Sequence, residues 1–257
     1  MTHHVVELRD GRQVGVTGLG DPKADRLVLF CHPSPGAGGF DPDPPATSTS
    51  GVRIITLDRP GYGSSDRGAN EVSPVGAWLD DVDEYLESIE RTARTIADTD
   101  FGPIGVVGWG VGAVYAVGLA ARHPELVDRV ALVEPTGATR ARRDAAASGD
   151  AVDARLDDPP ALNRFAGASD RLELMLESAR RGDGGEALDR RALNEKSWAG
   201  SLTNVSSRTV TISSDDSDPE WYLRRVSTAR GFGTWSNAAT TIVEAWPVVL
   251  RFLTAKR

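Results

Sequence analysis

The sequence predicts an α/β protein built on a mostly parallel, doubly wound sheet, and three observations carry that prediction. Near-continuous apolar runs at 26–32, 52–58, 104–107 and 127–134 read as strands buried on both faces. Helical patterns alternate with these runs, and the crossover rule turns such an alternation into parallel strands. The third observation is the stretch from Val106 to Ala121, where a β-branched run enters glycines spaced two apart and leaves as a small-residue helix. That is how a buried strand turns sharply into a helix packed against its own sheet. At 257 residues, one large domain is enough.

The chain opens on two alternating stretches, 4–8 and 12–17, around Asp10-Gly11, whose glycine supplies the positive φ of a tight hairpin. The strand 26–32 ends in the loop His32-Pro33-Ser34-Pro35-Gly36, and Asp41 to Pro45 is a loop feeding a short helix. The strand 52–58 is closed by Arg59-Pro60-Gly61. Ser73-Pro74 then reads as N-cap and first helical position of the longest helix, with Val75, Trp78, Leu79, Val82, Leu86 and Ile89 at helical spacing and an end near Ile96. After the strand at 127–134 the composition shifts to alanine, arginine and acids, with Leu172, Leu174, Met175 and Leu176 as the main apolar cluster. This region predicts a helical insertion. Arg208 to Ser213 resumes the sheet, and Thr241 to Leu253 forms a closing helix bent at Pro247. There is no internal repeat.

A net charge of −8 argues against a nucleic-acid partner, because phosphate binding needs clustered Lys and Arg. The arginines at 140–143 and 190–191 are flanked by acids and read as solvated helix faces. No apolar run approaches the roughly 20 residues of a membrane span. The single cysteine, Cys31, lies in an apolar run and reads as a core residue. The amino terminus lacks the basic and apolar regions of a secretory signal, so a soluble, cytoplasmic protein is expected. The histidines are scattered with no ligand spacing, and the glycine-rich turn lacks the dinucleotide-binding pattern, so neither metal nor cofactor is expected.

Three motifs in order now resemble those of α/β-hydrolases. Gly108-Trp109-Gly110-Val111-Gly112 resembles the G-x-S-x-G nucleophile elbow, His32-Pro33-Ser34-Pro35-Gly36 the H-G-x-P-G oxyanion loop, and Asp58 to Asp66 the D-R-P-G-x-G-x-S stretch. The resemblance is strong over residues 4–135. It implies an α/β-hydrolase core of 1–135 and 201–257, with 136–200 as the helical cap above the strand ends.

The family's chemistry needs a serine at the elbow, a histidine to take its proton and an acid to orient that histidine. Here the serine position is Gly110, and the place of the histidine is taken by Thr234; no histidine follows His123. For the acid, Asp218 matches best, with Asp215, Asp216 and Glu134 as alternatives. The stretch from Asp218 to Thr234 is short for a helix plus a strand, so one of them is truncated. The resemblance therefore implies a degenerate triad and a pseudoenzyme. Ligand contacts fall to His32, Ser34, Trp109 and Val111, with the amides of Ser34 and Val111 aimed at a carbonyl or carboxylate. For His32 a structural tie of the loop is favoured over a catalytic role, and for Trp109 and Tyr115 core packing is the alternative to ligand contact. No serine has an identifiable base beside it, so Ser34, Ser64 and Ser65 read as packing residues. The expected ligand is a small carbonyl-bearing molecule in the capped pocket. The alternatives are a non-covalent lyase, cyclase or isomerase, and a hydrolase with another nucleophile.

Overall fold

A computed structural model describes all residues except 69–72, 98–101, 138–158, 196–197, 215–218, 236 and 256–257. Eight strands form one sheet in the order β1-β2-β4-β3-β5-β6-β7-β8. They are β1 (Thr2–Glu7), β2 (Gln13–Gly20), β3 (Arg26–Cys31), β4 (Val52–Leu57), β5 (Ile104–Trp109), β6 (Val127–Val133), β7 (Arg208–Ser214) and β8 (Ala229–Trp235). The predicted hairpin is the antiparallel pair β1–β2, and β2 continues antiparallel onto β4. From β4 to β8 every pairing is parallel, as strands joined through helical crossovers must be.

The helices cover both faces. Ser73 caps α2 (Pro74–Ala97) by accepting the Gly76 amide, and Val75, Trp78, Leu79 and Val82 turn into the sheet. With α3 (Gly112–Arg122) this makes one core layer. The other holds the closing helix α7 (Ala238–Thr254), whose Trp246 meets Phe30 edge to face. Asp43 caps the short α1 (Pro44–Thr49), and the Trp246 indole donates to Thr47 of that helix at 2.9 Å. The closing helix starts three residues before the predicted Thr241 and runs through Pro247.

Between β6 and β7 lie a 3-10 turn (Pro159–Leu162), α4 (Ala168–Ala179), α5 (Gly185–Asn194) and a second 3-10 segment (Trp198–Asn204). Leu172 and Met175 are buried as expected, whereas Leu174 is 64% exposed. On a helix, 172 and 175 share a face from which 174 points away. Between β7 and β8 the described residues form the five-residue α6 (Pro219–Leu223), and the strand β8 is present at seven residues. None of the described helices is long and apolar enough to cross a membrane.

Candidate functional site

The C-terminal ends of β3 and β6 flank the turn between β5 and α3. Gly110 stands there with φ +57, a left-handed conformation that glycine adopts at little cost. Its amide donates to Val133 O at 3.0 Å, and its carbonyl accepts from Ala113 and Thr136. Two flanking glycines are required by close packing. A Cβ on Gly108 would lie 2.6 Å from the Ala113 Cα, and one on Gly112 would lie 2.1 Å from Cys31 O and 2.6 Å from His32 O. The turn is pinched between its own helix and the end of β3.

His32 is fully buried, and both ring nitrogens are engaged inside the protein. Nδ1 donates to Pro33 O at 2.9 Å, while Nε2 accepts the Arg59 amide at 3.1 Å. Burial, helped by the Arg59 charge, pulls its pKa well below the ordinary imidazole value, so the ring stays neutral. It ties the loop to the end of β4, with neither nitrogen left for a ligand. Ser34 precedes the cis peptide to Pro35, is fully buried and shares a 2.9 Å hydrogen bond with the Tyr62 hydroxyl. Trp109 is 3% exposed and stacks on Phe40 with centroids 5.1 Å apart, a core contact. Val111 is the buried residue that begins α3.

Of the three positions that the motif alignment assigns to a triad, Gly110 and Thr234 fall within the described residues. Thr234 lies inside β8 opposite Ser213 and is exposed, and Asn237 is the N-cap of the closing helix. Asp218, with Asp215 and Asp216, lies outside the described residues. Glu134 is buried at the end of β6, and its carboxylate accepts the Ser214 amide at 2.6 Å and the Ser214 hydroxyl at 2.9 Å. Among the described residues, Glu134 is also the non-glycine residue with a positive φ, +46.

The densest chemistry lies beside the elbow, on Tyr115, which the sequence leaves between ligand contact and core packing, and on Arg59, Tyr62 and Asp189, to which it gives no role. Arg59 and Asp189 of α5 are each about 1% exposed and pair bidentately, Nε to Oδ1 at 3.1 Å and Nη2 to Oδ2 at 2.8 Å. Tyr62 donates to the same carboxylate at 2.7 Å and Tyr115 of α3 at 2.8 Å. The guanidinium lies 4.6 Å from the Tyr115 ring centroid and 5.3 Å from that of Tyr62, and it also donates to the carbonyls of His32 and Pro33. Burial opposes the Arg59 charge, but Asp189 and the two phenols outweigh it and the guanidinium is more basic than usual. Both phenols are pushed well above their ordinary range, first by burial and then by the Asp189 charge, so they act as donors. Asp189 had one sequence signal: it falls on the face of α5 that buries Leu188, Ala192 and Leu193, where an acid needs a partner.

One hydroxyl does meet an imidazole, which corrects the expectation that no serine has a base beside it. His3 Nε2 lies 3.3 Å from Ser64 Oγ, and His3 Nδ1 lies 3.1 Å from Thr17 Oγ1. Both His3 and Ser64 are exposed, at the β1 edge of the sheet. The neighbouring Asp58 carboxylate accepts the amides of Gly38 and Ser64 and not the imidazole. A cavity of about 410 Å³ lies between α2, α3 and the 198–204 segment, and another of about 300 Å³ at the start of β6 and β7; neither is lined by elbow residues. Among the described residues no group of three His, Cys, Asp or Glu side chains is placed to hold a metal ion.

The family model described as alpha/beta hydrolase fold matches residues 26–221. Among solved structures the chain is similar to a hydrolase from Pseudomonas aeruginosa PA01, at 19% identity and a TM-score of 0.70 over 98% of both chains. It is also similar to E-2-(acetamidomethylene)succinate hydrolase, at 16% identity and a TM-score of 0.72 over 99% of both chains. An esterase from Exiguobacterium antarcticum matches at 15% identity and a TM-score of 0.69 over 96% of this chain and 97% of the other. At these identities the likeness is one of fold.

Proposed function

Because the chain belongs to the alpha/beta hydrolase fold family, we propose that it keeps the family's scaffold without its serine chemistry and binds a small carbonyl-bearing ligand above the β5–α3 turn. In this reading residues 136–200 form the cap over that ligand. The observation that supports it is Gly110, which holds the left-handed turn between two closely packed glycines and carries no atom to attack with. Losing the nucleophile of a serine hydrolase costs on the order of a million-fold in turnover, about 8 kcal/mol of barrier. The absence of any histidine after His123 removes the base as well. Binding, or a reaction that needs no covalent intermediate, is what such a site can still perform.

Treatment of the purified protein with a fluorophosphonate probe and a panel of activated esters tests the proposal, together with native mass spectrometry for a co-purified small molecule. No labelling, no turnover and a bound carbonyl compound are the expected results. Covalent labelling at any serine would overturn the non-hydrolytic reading. The Ser64–His3 contact favours one specific second reading, hydrolysis at the sheet edge, because His3 is placed to accept the Ser64 proton. In that case labelling maps to Ser64 and is lost in both Ser64→Ala and His3→Gln.

A further inference from the structure

Four hydrogen bonds from three side chains of the sheet domain converge on one carboxylate. Arg59 follows β4, Tyr62 closes the same loop, and Tyr115 stands one turn into α3, so the sheet and its packed helix supply every donor. The receptor is rigid. The carbonyls of His32 and Pro33 fix the guanidinium, Trp78 meets Tyr115 edge to face at 5.5 Å, and Ser34 holds Tyr62. A planar guanidinium flanked by two phenolic donors matches a carboxylate in both shape and charge. The acid that fills it is the only one of these groups to come from the segment between β6 and β7.

The receptor also adjoins the elbow. The His32 carbonyl that accepts from Arg59 is the one against which the Gly112 backbone packs. The helix that delivers Asp189 starts at a turn with glycines at 182, 184 and 185, and Gly184 has φ +79. The Gly185 amide donates to Gly61 O at 3.1 Å, which seats the start of α5 on the loop after β4. Asp189 lies one helical turn beyond that seat.

We propose that Arg59, Tyr62 and Tyr115 form a binding site for a small organic carboxylate, that Asp189 occupies this site as an internal stand-in, and that a ligand carboxylate competes with it by displacing α5. The inference rests on the ligand-binding reading above and adds the ligand's chemical class. It does not depend on whether any serine is reactive. An internal acid competes at a high effective concentration, so the wild-type protein binds an external acid weakly, and removal of Asp189 strengthens binding by the ratio of closed to open molecules.

Sodium propionate tests this, with propionamide as the neutral control. Calorimetry is expected to show propionate binding at least tenfold tighter in Asp189→Ala than in wild type, with no binding of propionamide. In wild type, saturating propionate is expected to release hydrogen-exchange protection across residues 185–194. Added to Asp189→Ala, the changes Tyr62→Phe and Tyr115→Phe are expected to weaken propionate binding at least tenfold relative to Asp189→Ala alone. Unchanged protection of 185–194 in wild type would make Asp189 a fixed strut and overturn the proposal, and that arm needs no variant to fold. Should Asp189→Ala fail to fold, Asp189→Asn takes its place, and a folded Asp189→Asn protein that does not bind propionate also overturns it. Fluorophosphonate labelling of a serine would count against the non-hydrolytic reading alone and leave this result standing.

Discussion

Replacing Asp189 with alanine leaves the Arg59 guanidinium charged and about 1% exposed, with the His32 and Pro33 carbonyls as its remaining acceptors. Breaking a buried ion pair from one side costs about 3–5 kcal/mol, because the surviving charge keeps its desolvation penalty without its partner. Tyr115 also loses the acceptor of its hydroxyl, a buried orphan that adds about 1 kcal/mol or more. Tyr62 is spared in part, because Ser34 still shares its hydroxyl. The sum is about 4–6 kcal/mol, which for a domain of this size lowers Tm by roughly 10–20 °C. Replacing both partners with apolar residues, Arg59→Met with Asp189→Leu, removes the stranded charge and is expected to recover most of that loss. Urea denaturation of wild type, both single variants and the double variant closes the cycle. A cost below about 1 kcal/mol for Asp189→Ala would refute the reasoning, since an effect that small belongs to ion pairs in contact with water.

Further expectations follow from neighbouring residues. Because His32 is held neutral, the unfolded chain takes up its proton near pH 6.5 while the folded chain does not; stability is therefore lost as pH falls below about 6.5, by about 1.4 kcal/mol per pH unit. Equal slopes of stability against pH for wild type and His32→Asn would show that His32 is not the source. Gly112→Ala drives a Cβ into the Cys31 and His32 carbonyls and is expected to cost about 3 kcal/mol or more, read by denaturation. Gly110→Ser is expected to cost about 1–2 kcal/mol for the left-handed backbone and to leave p-nitrophenyl acetate turnover unchanged, alone or with Thr234→His. Thr234 faces solvent on β8, so turnover by the double variant would mean that an imidazole there reaches the elbow. Burial pushes the Cys31 thiol to about 12, and iodoacetamide is expected to modify it only when the protein is unfolded.

Those parts of the fold whose burial leaves a pattern are legible in the sequence. The strands β3 to β6 are covered on both faces and read as apolar runs, and α2 shows its buried stripe at 75, 78, 79 and 82. β8 leaves no such mark, because residues 230–234 are exposed at the sheet edge, so no burial pattern locates Thr234 within it. The site is legible in its turns and illegible in its contacts. Gly110 and the loop at His32 follow from local spacing alone. The Arg59–Asp189 pair joins residues 130 apart and the His3–Ser64 contact residues 61 apart, and no local pattern encodes either. Trp109 reads equally as ligand contact or core, and its stacking on Phe40 depends on a loop whose path the sequence does not specify.

The glycines of the elbow motif answer to packing before they answer to catalysis. Gly108 is small because α3 begins against it, and Gly112 is small because the end of β3 and the oxyanion-like loop press on its Cα. Those demands hold whether the residue between them is serine or glycine, since they arise from β5 turning into α3 next to β3. A G-x-x-x-G stretch at this point therefore reports the strand-turn-helix geometry, and only the central side chain reports the chemistry. The same separation applies to the loop after β4. Its glycines admit the Asp58 carboxylate, which a Cβ on Gly63 would approach to 2.2 Å, while the residues that carry charge and donors, Arg59 and Tyr62, turn toward α5. Where scaffold glycines and reacting side chains make independent demands, the fold does not depend on which side chain stands at the centre of the turn, and the chemistry of the site is set by the polar groups that face it.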